Sequence, residues 1–82
     1  MAYLENHQLY YKKSCPFCKK VLRFLDEHKI TMDTRDTLQP GYQNDLVRIG
    51  GKKQVPCLVI NGKALYESDD IIAYLKENFV EA

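Results

Sequence analysis

The sequence predicts an α/β domain with the element order β-α-β-α-β-β-α, a four-stranded mixed sheet flanked by three helices. Three observations carry this prediction. An apolar, aromatic run at Leu9, Tyr10 and Tyr11 precedes a helical repeat of apolar residues, and an alternating run follows, which is the pattern of a β-α-β unit. Asn61-Gly62 directly follows a β-rich run and is a strong signal for a type I′ hairpin turn. Ser68-Asp69-Asp70 then opens a final apolar repeat in the manner of a helix start.

Taken in order, Gln8 to Tyr11 reads as a buried first strand, with Lys12, Lys13 and Ser14 as the loop after it. From Cys18 to about His28, Val21, Leu22, Phe24 and Leu25 recur at helical spacing, while Lys19, Lys20, Arg23, Asp26 and Glu27 take the other side of an amphipathic helix. Ile30 to Arg35 alternates as a second strand, and its polarity suggests a sheet edge. Gln39-Pro40-Gly41 is a breaker, after which Tyr42 to Ile49 carries Tyr42, Leu46 and Ile49 at helical spacing up to a stop at Gly50-Gly51. Pro56 to Ile60 is the next strand and Lys63 to Tyr66 its return partner. In the last helix a hydroxyl cap and two carboxylates stand in the first turn, where the dipole favours negative charge, and Ile71, Ile72, Leu75 and Phe79 form the buried face. The parallel pair at the start requires a right-handed crossover.

A chain of 82 residues buries only roughly 60 to 65 % of its unfolded surface, so positions 1–82 are read as one domain. Twelve basic residues nearly cancel eleven acidic ones, which leaves no bulk electrostatic case for nucleic acid or an anionic membrane. No apolar run approaches the ~18 residues of a membrane span or the form of a signal peptide. The expectation is a cytoplasmic, monomeric protein acting on a small substrate or through a local protein contact. Three cysteines, an odd number, fit poorly with a secreted disulfide framework, whereas a cytosolic pair at close spacing reads as redox-active or metal-binding.

That pair is Cys15-Pro16-Phe17-Cys18, placed where a strand gives way to a helix. A cysteine at a helix N-terminus lies next to unpaired backbone N–H groups and the positive end of the helix dipole, and both favour the nucleophilic thiolate. Pro16 suits the first turn because its missing N–H would have had no intrahelical partner. Cys15 also falls at the carboxyl end of the first strand, where ligands of α/β sheets commonly bind. Cys18, one turn into the helix and less exposed, is expected to keep a more ordinary thiol pKa and to act as the resolving thiol. A metal knuckle is the competing reading of the pair. Zinc usually needs four nitrogen or sulfur ligands, however, no second CxxC exists, and His7 and His28 lie at no ligand spacing from Cys57, so no metal is expected. Cys57 reads as a small buried strand residue near the site, and His7 and His28 as solvated.

With Tyr11-Lys12-Lys13-Ser14-Cys15-Pro16-Phe17-Cys18, then Gln54-Val55-Pro56, then Glu67-Ser68-Asp69-Asp70, the chain resembles the glutaredoxins over nearly its whole length. The stretch from Val55-Pro56-Cys57-Leu58 through Leu65-Tyr66-Glu67-Ser68 is also similar to the N-terminal domain of glutathione transferases, which is built on the same thioredoxin fold. The resemblance implies a glutathione-dependent thiol–disulfide oxidoreductase, with Cys15 as nucleophile, Cys18 as resolver, glutathione as co-substrate, and glutathionylated or disulfide-containing proteins as partners. It further implies a cis Val55-Pro56 peptide whose valine backbone pairs with the cysteinyl part of glutathione. Ser68 and Asp69 would hold the γ-glutamyl end, Lys12 the glycine carboxylate, with Lys52 and Lys53 as second candidates, and Phe17 would flank the substrate. Free N–H groups at a helix start can receive a carboxylate, and a carboxylate side chain can take an ammonium.

The chain departs from the glutaredoxin pattern in two respects: Tyr66-Glu67 replaces the usual Gly-Gly, and Phe17 stands where a tyrosine is commoner. Three alternatives stay open at this point. They are a redoxin reduced by thioredoxin reductase, a non-catalytic glutathione-binding module, and an iron–sulfur or metal-carrying module.

Overall fold

The structure is a computed structural model and describes residues 2–79. Its elements are β1 (Ala2–Tyr11), α1 (Pro16–Glu27), β2 (Ile30–Asp36), α2 (Pro40–Gly50), β3 (Cys57–Ile60), β4 (Lys63–Tyr66) and α3 (Ser68–Phe79). The strands form a single sheet in the order β2-β1-β3-β4, with β1 and β2 parallel and the other pairs antiparallel. The polar strand β2 is an edge, as its composition suggested.

Strand alternation divides the core into two layers. Leu9 stands opposite Leu58, and both join Val21, Phe24 and Leu25 of α1 and Ile71 and Leu75 of α3 on one side of the sheet. Tyr10 stands opposite Cys57, and with Val59 they meet Leu46 of α2 on the other side. Leu9 and Tyr10 are both fully buried, as a central strand covered on two faces requires. Each such side chain contributes about 1.5–3 kcal/mol through burial.

Several boundaries differ from the sequence expectation for identifiable reasons. β1 begins six residues before Gln8 because its register with β2 slips between Tyr3 and Gln8, where Asn6 has φ 61°, and the slip breaks the two-residue period. Within that segment Leu4 and His7 are buried. His7 is therefore not solvated: Nδ1 lies 2.7 Å from the Glu5 carbonyl, Nε2 lies 2.9 Å from the Tyr74 hydroxyl, and the ring packs edge-on to Phe79. His28 does stay exposed, beside the ring of Phe24.

Helices α1 and α2 both start at a proline, with Cys15 and Gln39 as extended N-cap residues, so the Gln39-Pro40-Gly41 breaker is the beginning of α2. Ser68 is not a cap but the first residue of α3. Glu67 precedes it at φ 73° and accepts the N–H of Ile71 through its carbonyl. The β3–β4 turn has Asn61 at φ 50° and Gly62 at φ 83°, the two positive angles of a type I′ turn.

Gly50 sets how closely α2 approaches β4. A Cβ at this position would lie 1.9 Å from the Tyr66 hydroxyl oxygen and 3.2 Å from Ala64 Cβ. Replacing Gly50 with Ala is expected to lower stability by about 1–3 kcal/mol through overpacking. In a helix without that contact the same exchange would add about 1 kcal/mol. Urea unfolding reads the sign directly, and a stabilised variant would show that the contact yields.

Candidate active site

Cys15 owes its position to two short-range interactions. Its N–H donates to the Lys12 carbonyl at 3.2 Å, closing the turn that follows β1. Its sulfur then accepts the N–H of Cys18 at 3.4 Å, as the N-cap of α1. The thiol is partly exposed and lies 4.0 Å from the Val55 carbonyl oxygen. The Val55-Pro56 peptide is cis, as the resemblance implied. The β1–β3 ladder begins at the Tyr10–Cys57 pair, so Val55 stands outside the sheet and beside the thiol.

The other two thiols are fully buried. Burial pushes the Cys18 thiol up to about 12, opposed by a backbone hydrogen bond from Lys12 and reinforced by the neighbouring Cys15 sulfur. This is higher than the ordinary value expected from its place in the helix, because the side chain has no solvent contact. Cys57 is pushed up to about 11, again by burial. The Tyr66 hydroxyl stands close enough to lower it somewhat. That contact nevertheless falls short of hydrogen-bond geometry, and the hydroxyl is buried without a partner among the described residues. Cys57 packs with Tyr10 and Leu46 on the α2 side of the sheet. Iodoacetamide at pH 8 is therefore expected to place one label on the folded, reduced protein, at Cys15, and three on the unfolded chain. Mass spectrometry of the labelled peptides checks this, and rapid native labelling of Cys18 or Cys57 would contradict the burial.

An open cleft of about 430 Å³ begins beside Val55 and runs to the start of α3. Phe17, Val55, Pro56, Ser68 and Asp69 all line it. These come from three separate stretches of sequence, and the fold brings them together. Lys12 is exposed in the turn before Cys15 and does not line the cleft. Phe17 keeps 63 % of its surface exposed, which for an aromatic ring beside a thiol offers an apolar wall to whatever approaches the sulfur.

Gln54, Glu67 and Asp70 also line the cleft and were not among the expected site residues. Gln54 Nε2 donates to Glu67 Oε1 at 3.0 Å, tying the segment before the cis peptide to the segment before α3. Both stand inside the motifs that carry the glutaredoxin resemblance, Gln54-Val55-Pro56 and Glu67-Ser68-Asp69-Asp70, which is the available signal. Asp69 is paired with Lys20 at 2.5 Å. Ser68 is buried, whereas Asp69 and Asp70 are exposed. The free N–H groups of the first turn of α3 and three nearby carboxylates give this end of the cleft the means to hold a carboxylate and an ammonium together. Among the described residues no group of three or more His, Cys, Asp or Glu is arranged to hold a metal ion, and no helix is long and apolar enough to cross a membrane.

Over residues 9–82 the chain matches the family model of the glutathione S-transferase N-terminal domain. It is 36 % identical over 69 residues to prostaglandin E synthase 2 of Danio rerio, a match covering 83 % of this chain and 18 % of that protein. It is 38 % identical over 76 residues to glutaredoxin-C4 of Arabidopsis thaliana, covering 84 % of this chain and 56 % of that one. Among solved structures, glutathione transferase Omega 3C from Trametes versicolor superposes with a TM-score of 0.80 at 26 % identity, over 95 % of this chain and 35 % of the transferase. The chain thus spans between about a fifth and just over half of the length of these proteins. The likeness to transferases is also not confined to the Val55–Ser68 region, since it extends back through Cys15 and Cys18 to the end of β1. With the match running from that strand to the last residue, the chain belongs to the glutathione S-transferase N-terminal domain family, and it shares the thioredoxin-like fold of that family with the glutaredoxins.

Proposed function

We propose that the protein is a glutathione-dependent thiol–disulfide oxidoreductase, with Cys15 as its nucleophile and Cys18 as its resolving thiol. The observation that carries this reading is the juxtaposition of a partly exposed N-cap sulfur with the Val55 carbonyl and a cleft that ends on the N-terminus of α3. A tripeptide thiol with its sulfur at Cys15 would lay its backbone along Val55 and reach the first turn of α3 with its amino-acid end. Three free cysteines suit a reducing compartment such as the cytoplasm.

In the first step the Cys15 thiolate attacks the glutathione sulfur of a mixed disulfide. A bond forms between the two sulfurs, the bond to the substrate sulfur breaks, and the substrate leaves as a thiolate that takes a proton from water. A second glutathione thiolate then attacks the glutathione sulfur on Cys15, which frees Cys15 and yields glutathione disulfide. The net exchange consumes one glutathione thiol and turns the mixed disulfide into the free substrate thiol and glutathione disulfide. On the dithiol route Cys18 loses its proton and attacks the Cys15 sulfur, expelling glutathione and forming a Cys15–Cys18 disulfide that two glutathione molecules reduce. Burial keeps Cys18 protonated at rest, so it does not compete with Cys15 for the incoming disulfide.

The family match favours, as a second reading, a module that binds glutathione without turning over disulfides. Steady-state reduction of a glutathione mixed disulfide coupled to glutathione reductase separates the two. Turnover supports the oxidoreductase. Bound glutathione with no turnover, or turnover driven by thioredoxin reductase instead, rejects it.

A further inference from the structure

We propose that Lys20 is an internal competitor of the ligand's ammonium group for Asp69, a positioning residue that sets how strongly the cleft prefers disulfides bearing an α-amino group. The inference rests on the reading that glutathione occupies this cleft with its γ-glutamyl end at α3. Lys20 lies three residues after Phe17 and so on the same side of α1, and although it does not line the cleft itself it contacts a residue that does. Its ammonium reaches Asp69 Oδ1 at 2.5 Å, forming an ion pair between two helices 49 residues apart in sequence. Asp69 is also a cleft-lining carboxylate suited to an incoming ammonium.

The two cations therefore contend for one acid. Glu67 is likewise engaged, by Gln54, but through a neutral donor that leaves its charge uncompensated. The side chains of Lys20 and Asp69 are 53 % and 82 % exposed, so the pair is weak and a ligand can displace it. Displacement costs the ligand part of what its own ammonium gains on Asp69. Disulfides without an amino group leave the pair intact and bear no such cost.

The test uses the Cys18→Ser protein, in which reaction with a disulfide stops at the Cys15 mixed disulfide and mass spectrometry follows its formation. Lys20→Gln is expected to raise the rate constant with glutathione disulfide by about two- to fivefold, the range that an exposed ion pair can supply. It should leave the rate with hydroxyethyl disulfide, which has no charge, unchanged. Lys20→Arg should restore the original rate. Lys19→Gln makes the same charge change without touching Asp69 and should have no effect on either rate. In an Asp69→Asn background the Lys20→Gln gain should vanish, and added salt should shrink it in the original background. A slower reaction of Lys20→Gln with glutathione disulfide, or a gain that persists without Asp69, would overturn the competition while leaving the glutathione reading in place. If Asp69→Asn by itself does not slow the reaction with glutathione disulfide, the placement of the γ-glutamyl end is what fails.

Discussion

Replacing Cys15 with Ser is expected to abolish reduction of a glutathione mixed disulfide, a loss of about a hundredfold or more, down to the uncatalysed rate. Replacing Cys18 with Ser is expected to keep that activity within about threefold while ending reduction of protein disulfides by the dithiol route. The asymmetry follows from where the two sulfurs lie. Cys15 is partly exposed at the N-cap and adjoins the cleft, whereas Cys18 has no solvent contact and a thiol pushed up to about 12. Only the first can meet an external disulfide. The second is one helical turn away, and its own N–H already points at the Cys15 sulfur, so it is placed to attack that sulfur once Cys15 carries a disulfide. The coupled glutathione reductase assay measures the first activity, and gel-shift alkylation of a disulfide-bonded protein substrate measures the second. Residual turnover in Cys15→Ser would move the nucleophile elsewhere. Loss of both activities in Cys18→Ser would make the dithiol route obligatory.

Raising the pH from 9 to 11 is expected to destabilise the reduced protein by several kcal/mol, enough to approach unfolding for a domain of this size. In the unfolded chain the Cys18 and Cys57 thiols ionise near 9.0, whereas in the folded protein burial holds them neutral to about 12 and 11. Raised values of this kind supply stability that is complete below pH 9. That stability is lost as the pH climbs towards the folded values, because the unfolded chain releases protons that the native one retains. Each thiol contributes a slope of roughly 1 kcal/mol per pH unit in this window. Burial of the Tyr66 phenol acts in the same direction. Urea unfolding of the reduced protein at intervals between pH 8 and 11 reads the slope, and Cys57→Ala should flatten it relative to its own stability at pH 8. An unchanged midpoint across this range would show that the buried thiols ionise without cost.

The element order, the edge position of β2 and the type I′ turn at Asn61-Gly62 were all legible from periodicity and turn chemistry, because these are local properties of the chain. Apolar spacing places the first two helix starts at Cys18 and Tyr42, two residues after the observed ones, and the third at Ser68, where it is. Pro16 is expected in the first turn and Pro40 reads as part of a breaker, whereas in the structure each is the first helical residue after an extended cap. The burial of His7 is not legible in the sequence because it depends on Tyr74 and Phe79, about seventy residues away, and on a register slip that no pattern in Met1 to Gln8 announces. At the site, Cys15, Phe17, Val55, Pro56, Ser68 and Asp69 were named from motifs. Gln54 and Glu67 stand in those motifs without an expected role, since a hydrogen bond between side chains 13 residues apart leaves no periodic trace.

By itself the sequence determined the alternation of strands and helices and the placement of a cysteine pair at the junction of β1 and α1. Spacing within one element is enough to settle both, as side chains two, three or four residues apart share a face whatever the rest of the chain does. Tertiary structure alone decided which separate segments share the cleft, how far Cys18 and Cys57 are removed from ionisation, and that Asp69 is already held by Lys20. Those properties depend on solvent exclusion and on distances between separate elements, and both exist only once the sheet and its helices have packed.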